Sequence, residues 1–328
     1  MNVAGSVSKG APGRWCPPSY GLGARAFREG PHFDAEVVYV VGGLYGNPFA
    51  LSRLANLFQA EPATRKLFVL NGDFHWFDRD ECDFAAIERA TSSFVRLRGN
   101  VETEIAALGD DAGCGCAYPN SVSDEDVSRS NLILSELKRA ARTLGCDQAL
   151  GALPAVATVA CGSLQMAITH GDDLSLAGWE FAVDRLDDAW HAGLGARMQA
   201  LGVSLIASSH TCLAVADARL HDGAVRAVIN NGSAGMANFQ GNAAGLFTRV
   251  ALPRWADACE EMPSYRAEIA GVDVAAVPVR FDASAWQAFF LDRWPVGSAA
   301  HTSYWRRIVA GPDHHPEDAA RGLFHRHG

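Results

Sequence analysis

Residues 39–58 read YVVGGLYGNPFALSRLANLF: an apolar β-branched run, a glycine-rich turn and an Asn-Pro pair that opens a helix. Extended back to Ala35, the run AEVVYVV has the continuous apolar character of a strand buried on both faces. Asn47 is placed to cap the helix with Pro48 at its first position, and Leu51, Leu54, Leu57 and Phe58 supply one apolar face. Working outward, KLFVLNGD (66–73) predicts a second buried strand, CDFAAIERATSSF (82–94) a second helix and VRLRGN (95–100) a third short strand. That β-α-β-α-β order implies a parallel sheet with crossover helices, whose ligands collect beyond the carboxyl ends of the strands. The residues at those ends are Gly43 to Asn47, Asp73 to Asp78, and Arg98 to Glu102.

Further along, Ser123 and Asp126 have the spacing of a capping box at the start of an amphipathic helix. Residues 155–173 predict two strands around Cys161-Gly162, ending in His170-Gly171-Asp172. A helical stretch is expected over 176–202, a strand over 203–212, and a hairpin over 218–236 with an Asp222-Gly223 turn. From 245 onward three antiparallel strands follow, with Val272-Asp273 in the turn between the last two, then a helix near 284–293 and a polar tail carrying His314, His315, His325 and His327. Residues 1–35, rich in Gly, Pro and Ser, predict an extended N-terminal arm lying on a main domain of 36–281, with 282–328 as a C-terminal helical extension and polar tail.

Composition narrows the function. A 328-residue chain that is 48% apolar can bury a large core. A net charge of −9 and a pI near 5.6 exclude a nucleic-acid backbone or an anionic membrane as the main partner, so any phosphate must be bound by a local site. The first twenty residues lack the apolar core of a secretory signal, and no stretch reaches the ~20 apolar residues that span a bilayer, so a cytoplasmic location is expected. The eight cysteines, at 16, 82, 114, 116, 146, 161, 212 and 259, are scattered and read as reduced thiols. Cys114-Gly-Cys116 is a candidate metal or redox element, although its spacing matches neither a zinc nor a thioredoxin motif.

Four polar residues each follow an apolar strand: Asp73 in NGD, Asn100 in RGN, His170 in THGDD and His210 in SSHTC. One carboxylate, one amide oxygen and two imidazoles suit one divalent ion such as Mn, Fe or Zn. Taken singly, a histidine after a strand or an Asp after Gly is an ordinary structural or turn residue; the ordered series carries the reading.

That series, NGD, RGNVE, THGD, SSHTC and NNGSAG, resembles the calcineurin-like metallophosphoesterase superfamily, in particular its small bacterial phosphodiesterase branch. The resemblance spans about residues 36 to 250 and implies a four-layer α/β sandwich of two mixed β-sheets flanked by helices, holding two metal ions that share a carboxylate. Asp73 matches the shared carboxylate; Asn100, His170 and His210 match the other ligands of the second metal. The private ligands of the first metal fall on Gly43, Tyr45 and Cys212, none of which is the family's residue. Random loss of three of six unshared ligands would empty one metal's set and spare the other's in roughly one way in ten, which points to a site acting as a unit.

The resemblance thus implies a metal-dependent phosphoester hydrolase with a one-metal site, acting on a small phosphorylated molecule; a homo-oligomer is left open. Asn100, His75 and Tyr45 are the catalytic candidates, Cys212 an extra ligand, and Arg98, Asn231 and Ser233 the substrate-binding candidates. Trp76 stands where the family places a second Asp, and Val101 where its larger branch places a His. The competing readings are a non-catalytic binding or regulatory protein on the same fold, and a protein that holds a softer metal through Cys212 with Cys114 or Cys116.

Overall fold

A computed structural model describes residues 10–326. Its strands are β1 (His32–Asp34), β2 (Val37–Val41), β3 (Lys66–Asn71), β4 (Val95–Leu97), β5 (Val156–Cys161), β6 (Leu164–Thr169) and β7 (Leu205–Ser208). They continue with β8 (Val215–His221), β9 (Ala224–Asn230), β10 (Gly245–Ala251), β11 (Tyr265–Ile269), β12 (Val272–Val279), β13 (Ala320–Gly322) and β14 (His325–Arg326). Among the described residues they form two seven-stranded sheets, ordered β14-β11-β12-β10-β2-β3-β4 and β1-β5-β6-β7-β9-β8-β13. Both are mixed: β2, β3 and β4 run parallel while β10 pairs with β2 antiparallel, and β6, β7 and β9 run parallel beside antiparallel β5 and β8.

The alternation of side chains along the strands builds the layers. On β2, Val38 and Val40 face the second sheet, in a core with Val159, Met166, Leu205 and Ile229. Val37, Tyr39 and Val41 face outward onto the helices Pro48–Ala60, Glu81–Thr91 and Asp124–Leu144. On β7, Leu205 and Ala207 point into the shared core, whereas Ile206 packs on the other side against Leu186 and Met198 of the short helices Leu186–His191 and Leu194–Leu201. The result is helices, sheet, sheet, helices: a four-layer α/β sandwich. Burying both faces of a strand is what removed polar alternation from the sequence around residue 39.

The helix starts follow their caps. Asn47 Oδ1 accepts from the Phe49 and Ala50 amides at 3.0 Å each, and Ser123 Oγ accepts from Asp126 N at 3.1 Å. No helix among the described residues is long and apolar enough to cross a membrane.

Four expectations are corrected. The N-terminal arm is not wholly extended: it carries a helix, Ala24–Glu29, and its β1 completes the second sheet beside β5. Residues 176–185 are turns rather than helix, because Asp172 Oδ1 and Oδ2 take the amides of Leu174, Ser175 and Glu180 and hold the segment in a loop. Val272 and Asp273 belong to β12, and the turn falls at Ala270-Gly271, both with positive φ. The polar tail is built into the fold: after a helix over Ala299–Ala310, β13 pairs with β8 and β14 with β11, and buried His314 donates from Nε2 to Ala214 O at 2.7 Å. His327 lies outside the described residues.

Candidate metal centre

The carboxyl ends of β3, β4, β6 and β7 meet where the two sheets adjoin, and the polar residues that follow them come together. Asp73 stands in a left-handed turn (φ 54°) after β3, a conformation Asp accepts more readily than most residues. Glu102 fixes that turn, accepting from Asp73 N at 2.9 Å, Phe74 N at 3.1 Å and Gly99 N at 2.7 Å. A side chain at Gly72 (φ +77°) would run into His170 Nδ1 and the backbone of Gly99, so this position admits glycine alone.

Three inner atoms surround His170 Nε2: Asn100 Oδ1 at 3.1 Å, His210 Nδ1 at 3.2 Å and Asp73 Oδ2 at 3.3 Å. The outer end of each neutral donor is held by a main-chain carbonyl. His170 Nδ1 donates to Asn71 O at 2.9 Å, His210 Nε2 to Cys116 O at 3.1 Å, and Asn100 Nδ2 to Cys114 O at 2.9 Å. These assignments place the ring and amide protons on the outside and turn lone pairs inward. Asp73, His170 and His210 are all buried and their ligating atoms lie within 4.8 Å of one another. A carboxylate oxygen, an amide oxygen and two imine nitrogens facing one point repel each other until a cation lies among them, so the donor set fits a divalent ion.

The titration behaviour has the same origin. Burial acts against charge on His170, but Asp73 beside it outweighs burial and raises the imidazole above its ordinary value. Burial likewise opposes ionisation of Asp73, and His170 still brings the carboxyl below its usual range. His210, buried and facing His170, is pushed down to about 3 and stays neutral. A proton on His170 Nε2 therefore satisfies the cluster at the point a metal would take, and a metal would displace it.

The other half of the site is different in kind. Tyr45 Oη lies 2.9 Å from Cys212 Sγ, and burial raises both groups above their ordinary values, so both are neutral. A Cβ at Gly43 (φ +62°) would meet Tyr45 Cζ at 2.9 Å. The tyrosine ring thus fills the space into which a side chain at position 43 would project.

The remaining candidates are not brought to the cluster. His75 is fully buried with Nδ1 on Asp78 Oδ2 at 2.8 Å and Nε2 on Glu88 Oε1 at 3.0 Å, and it stacks on Phe84 at 3.8 Å. Burial opposes its charge, yet the two carboxylates push it up to about 9, and both ring nitrogens are taken up in an internal ion-pair network. Burial also raises Asp78, but Glu88, backed by Arg96 at 2.7 Å, makes the imidazolium the favoured form. Arg98 turns away to Gly151 O at 2.7 Å. Asn231 ties Gly42 O to Leu246 O, and Ser233 Oγ donates to Gly43 O at 3.1 Å, so both lock loops together. The Cys114-Gly-Cys116 segment contributes carbonyls to the cluster rather than thiolates, and burial holds the Cys116 thiol protonated.

A cavity of about 170 Å³ opens onto both halves, lined by Tyr45, Asp73, Trp76, Cys116, Tyr118, Trp179, His210, Cys212, Tyr304 and Arg307. A larger cleft of about 730 Å³ lies on the far side of Trp179. Sequence reading missed Glu102 as the turn's anchor, and it missed Tyr304 and Arg307, which the helix Ala299–Ala310 delivers. Ser298 as its cap and Gly311 (φ 76°) as its stop were the available signals.

No protein-family profile matches the chain, and no curated protein matches it. Solved structures do. A hypothetical protein of Pyrococcus horikoshii OT3 superposes with a TM-score of 0.52 at 14% identity, covering 85% of this chain and 99% of that one. A metallophosphoesterase from Sphaerobacter thermophilus aligns with a TM-score of 0.49 at 16% identity over 84% and 100% of the two chains. Zinc-complexed Vps29 from Entamoeba histolytica aligns at 0.33 and 13%, over 74% and 99%. What is shared is the fold. At these identities the functional case has to come from the side chains.

Proposed function

We propose that this chain is a metallophosphoesterase-like hydrolase that holds one divalent ion on Asp73, Asn100, His170 and His210 and cleaves a small phosphoester. The observation that carries the reading is the inward set of lone pairs around His170 Nε2, with the outer protons assigned to Asn71, Cys114 and Cys116 carbonyls. Such outer hydrogen bonds orient ligands and raise their basicity, leaving the inward lone pairs as the part of the cluster that structure alone does not require. An ion bound there supplies Lewis acidity toward a phosphoryl group. Asp73 offsets its charge, and the walls formed by buried Trp76 and half-buried Trp179 and Tyr304 restrict water around the reacting group. A cavity of about 170 Å³ accommodates a phosphate and a small substituent, which limits the substrate to a small ester unless the neighbouring cleft takes the rest.

A second reading, a binding protein on the same fold, is favoured by one observation: Tyr45 closes the space beside Gly43 that a second ion's ligand would need. The two are separated by metal content, measured by mass spectrometry together with hydrolysis of an aryl phosphodiester. About one ion per chain with turnover, both lost in His210→Ala, supports the hydrolase; a fall of about 10³-fold in rate is expected. Turnover absent from protein that carries one ion supports the binding reading.

A further inference from the structure

The half of the cavity that lacks metal ligands has a cation of its own. Arg307, on the C-terminal helix, donates from Nη2 to Cys212 O at 2.6 Å and from Nε to Ala237 O at 3.1 Å. These two carbonyls fix the guanidinium plane. Nη1 makes no hydrogen bond among the described residues, and no carboxylate there pairs with Arg307. An arginine without an acidic partner at the wall of a cavity keeps its full charge available to a ligand, and its planar fork suits phosphoryl oxygens. Its field is felt by the groups beside it: it pulls against the burial that raises Cys212 and Tyr45.

A second donor belongs to a residue that lines the same cavity. Trp76 is 3% exposed, and its Nε1, next to the Tyr304 hydroxyl that also lines the cavity, has no partner that meets hydrogen-bond geometry. A buried N–H left in this state costs stability unless an acceptor arrives. Tyr45 and Cys212, which line the same cavity, are neutral and present no competing anion.

We infer that Arg307 and Trp76 form an oxyanion subsite that takes the place of the second metal ion, binding a non-bridging phosphoryl oxygen while the ion at Asp73 and His170 binds another. The ligand class is a phosphate or phosphoester dianion or monoanion. This rests on the hydrolase reading for the partner ion, but the subsite is a property of Arg307 and Trp76 themselves. It explains why loss of one ion's ligands need not leave phosphate with a single positive partner: a guanidinium on a helix more than 200 residues away in sequence from Asp73 supplies the other.

The test is calorimetric titration of inorganic phosphate into manganese-loaded wild type, Arg307→Gln, Arg307→Lys and Trp76→Phe, with metal content and melting temperature recorded for each. Arg307→Gln, which keeps a donor for Cys212 O, is expected to weaken phosphate roughly ten- to hundred-fold at unchanged metal content. Arg307→Lys should fall between it and wild type, and Trp76→Phe should weaken binding roughly three- to ten-fold. Phosphate binding within twofold of wild type in a folded Arg307→Gln protein overturns the subsite. Should that variant fail to fold, unchanged binding in Trp76→Phe overturns it instead. A wild type that takes up no manganese defeats the metal reading alone, because the same ratio of phosphate affinities, measured without metal, still decides the role of Arg307.

Discussion

The two halves of this cavity line one space of about 170 Å³ and are built on opposite principles. Around His170 each neutral ligand is held from behind by a backbone carbonyl and Asp73 by the Val101 amide, so four lone-pair atoms are aimed at one point. Around Gly43 the space is occupied by the Tyr45 ring and closed by a hydroxyl-thiol contact, with no charged ligand. A site decaying without constraint would lose donors and their supports in both halves. Here one half keeps its donors and their hydrogen-bonded supports, while the other is filled with a well-packed aromatic, flanked by an unpaired arginine. One half is organised to hold a cation and the other is closed by packing, within the same cavity.

The most disruptive way to test that contrast is to return an acid to the filled half. Gly43→Asp places a side chain at φ +62° and against Tyr45 Cζ at 2.9 Å, and it is expected to cost about 3 kcal/mol, or about 6 °C in melting temperature. In the background of Tyr45→Ala the same change should cost at least about 1 kcal/mol less, the signature of direct contact in a double-mutant cycle. Equal costs in the two backgrounds would show that the ring does not occupy that space. A smaller effect is expected from Tyr45→Phe, which removes only the contact to Cys212: about 1 kcal/mol of stability or less, with hydrolysis within about threefold of wild type. A fall of a hundredfold would make the phenol a catalytic group and break the description of this half as filler.

Much of the fold was legible because its signals are local. The doubly buried run around Tyr39, the Asn47-Pro48 helix start and the Ser123 cap are each decided within a few residues, and the structure has them where they were expected. Asp73, Asn100, His170 and His210 were legible as a group because each follows a strand and strand ends converge in a parallel sheet. What escaped was contact between distant segments. The direction of His75 is set by Glu88 on the next helix, the outer partners of the cluster are carbonyls of Cys114 and Cys116 that no residue type announces, and the short strands β1, β13 and β14 exist only because a sheet edge is there to pair with. Arg307 is the plainest case. Its sequence surroundings, YWRRIVA, carry no motif, and only the packing of the Ala299–Ala310 helix against Cys212 and Ala237 makes it part of the cavity.

The central claim, one ion in one half, is tested most directly by anomalous scattering from a crystal grown with manganese or zinc. A single strong anomalous peak is expected within coordination distance of Asp73, Asn100, His170 and His210, with Tyr45 and Cys212 unliganded. A second peak between Asp73 and Cys212, or no peak at the four donors, would contradict it.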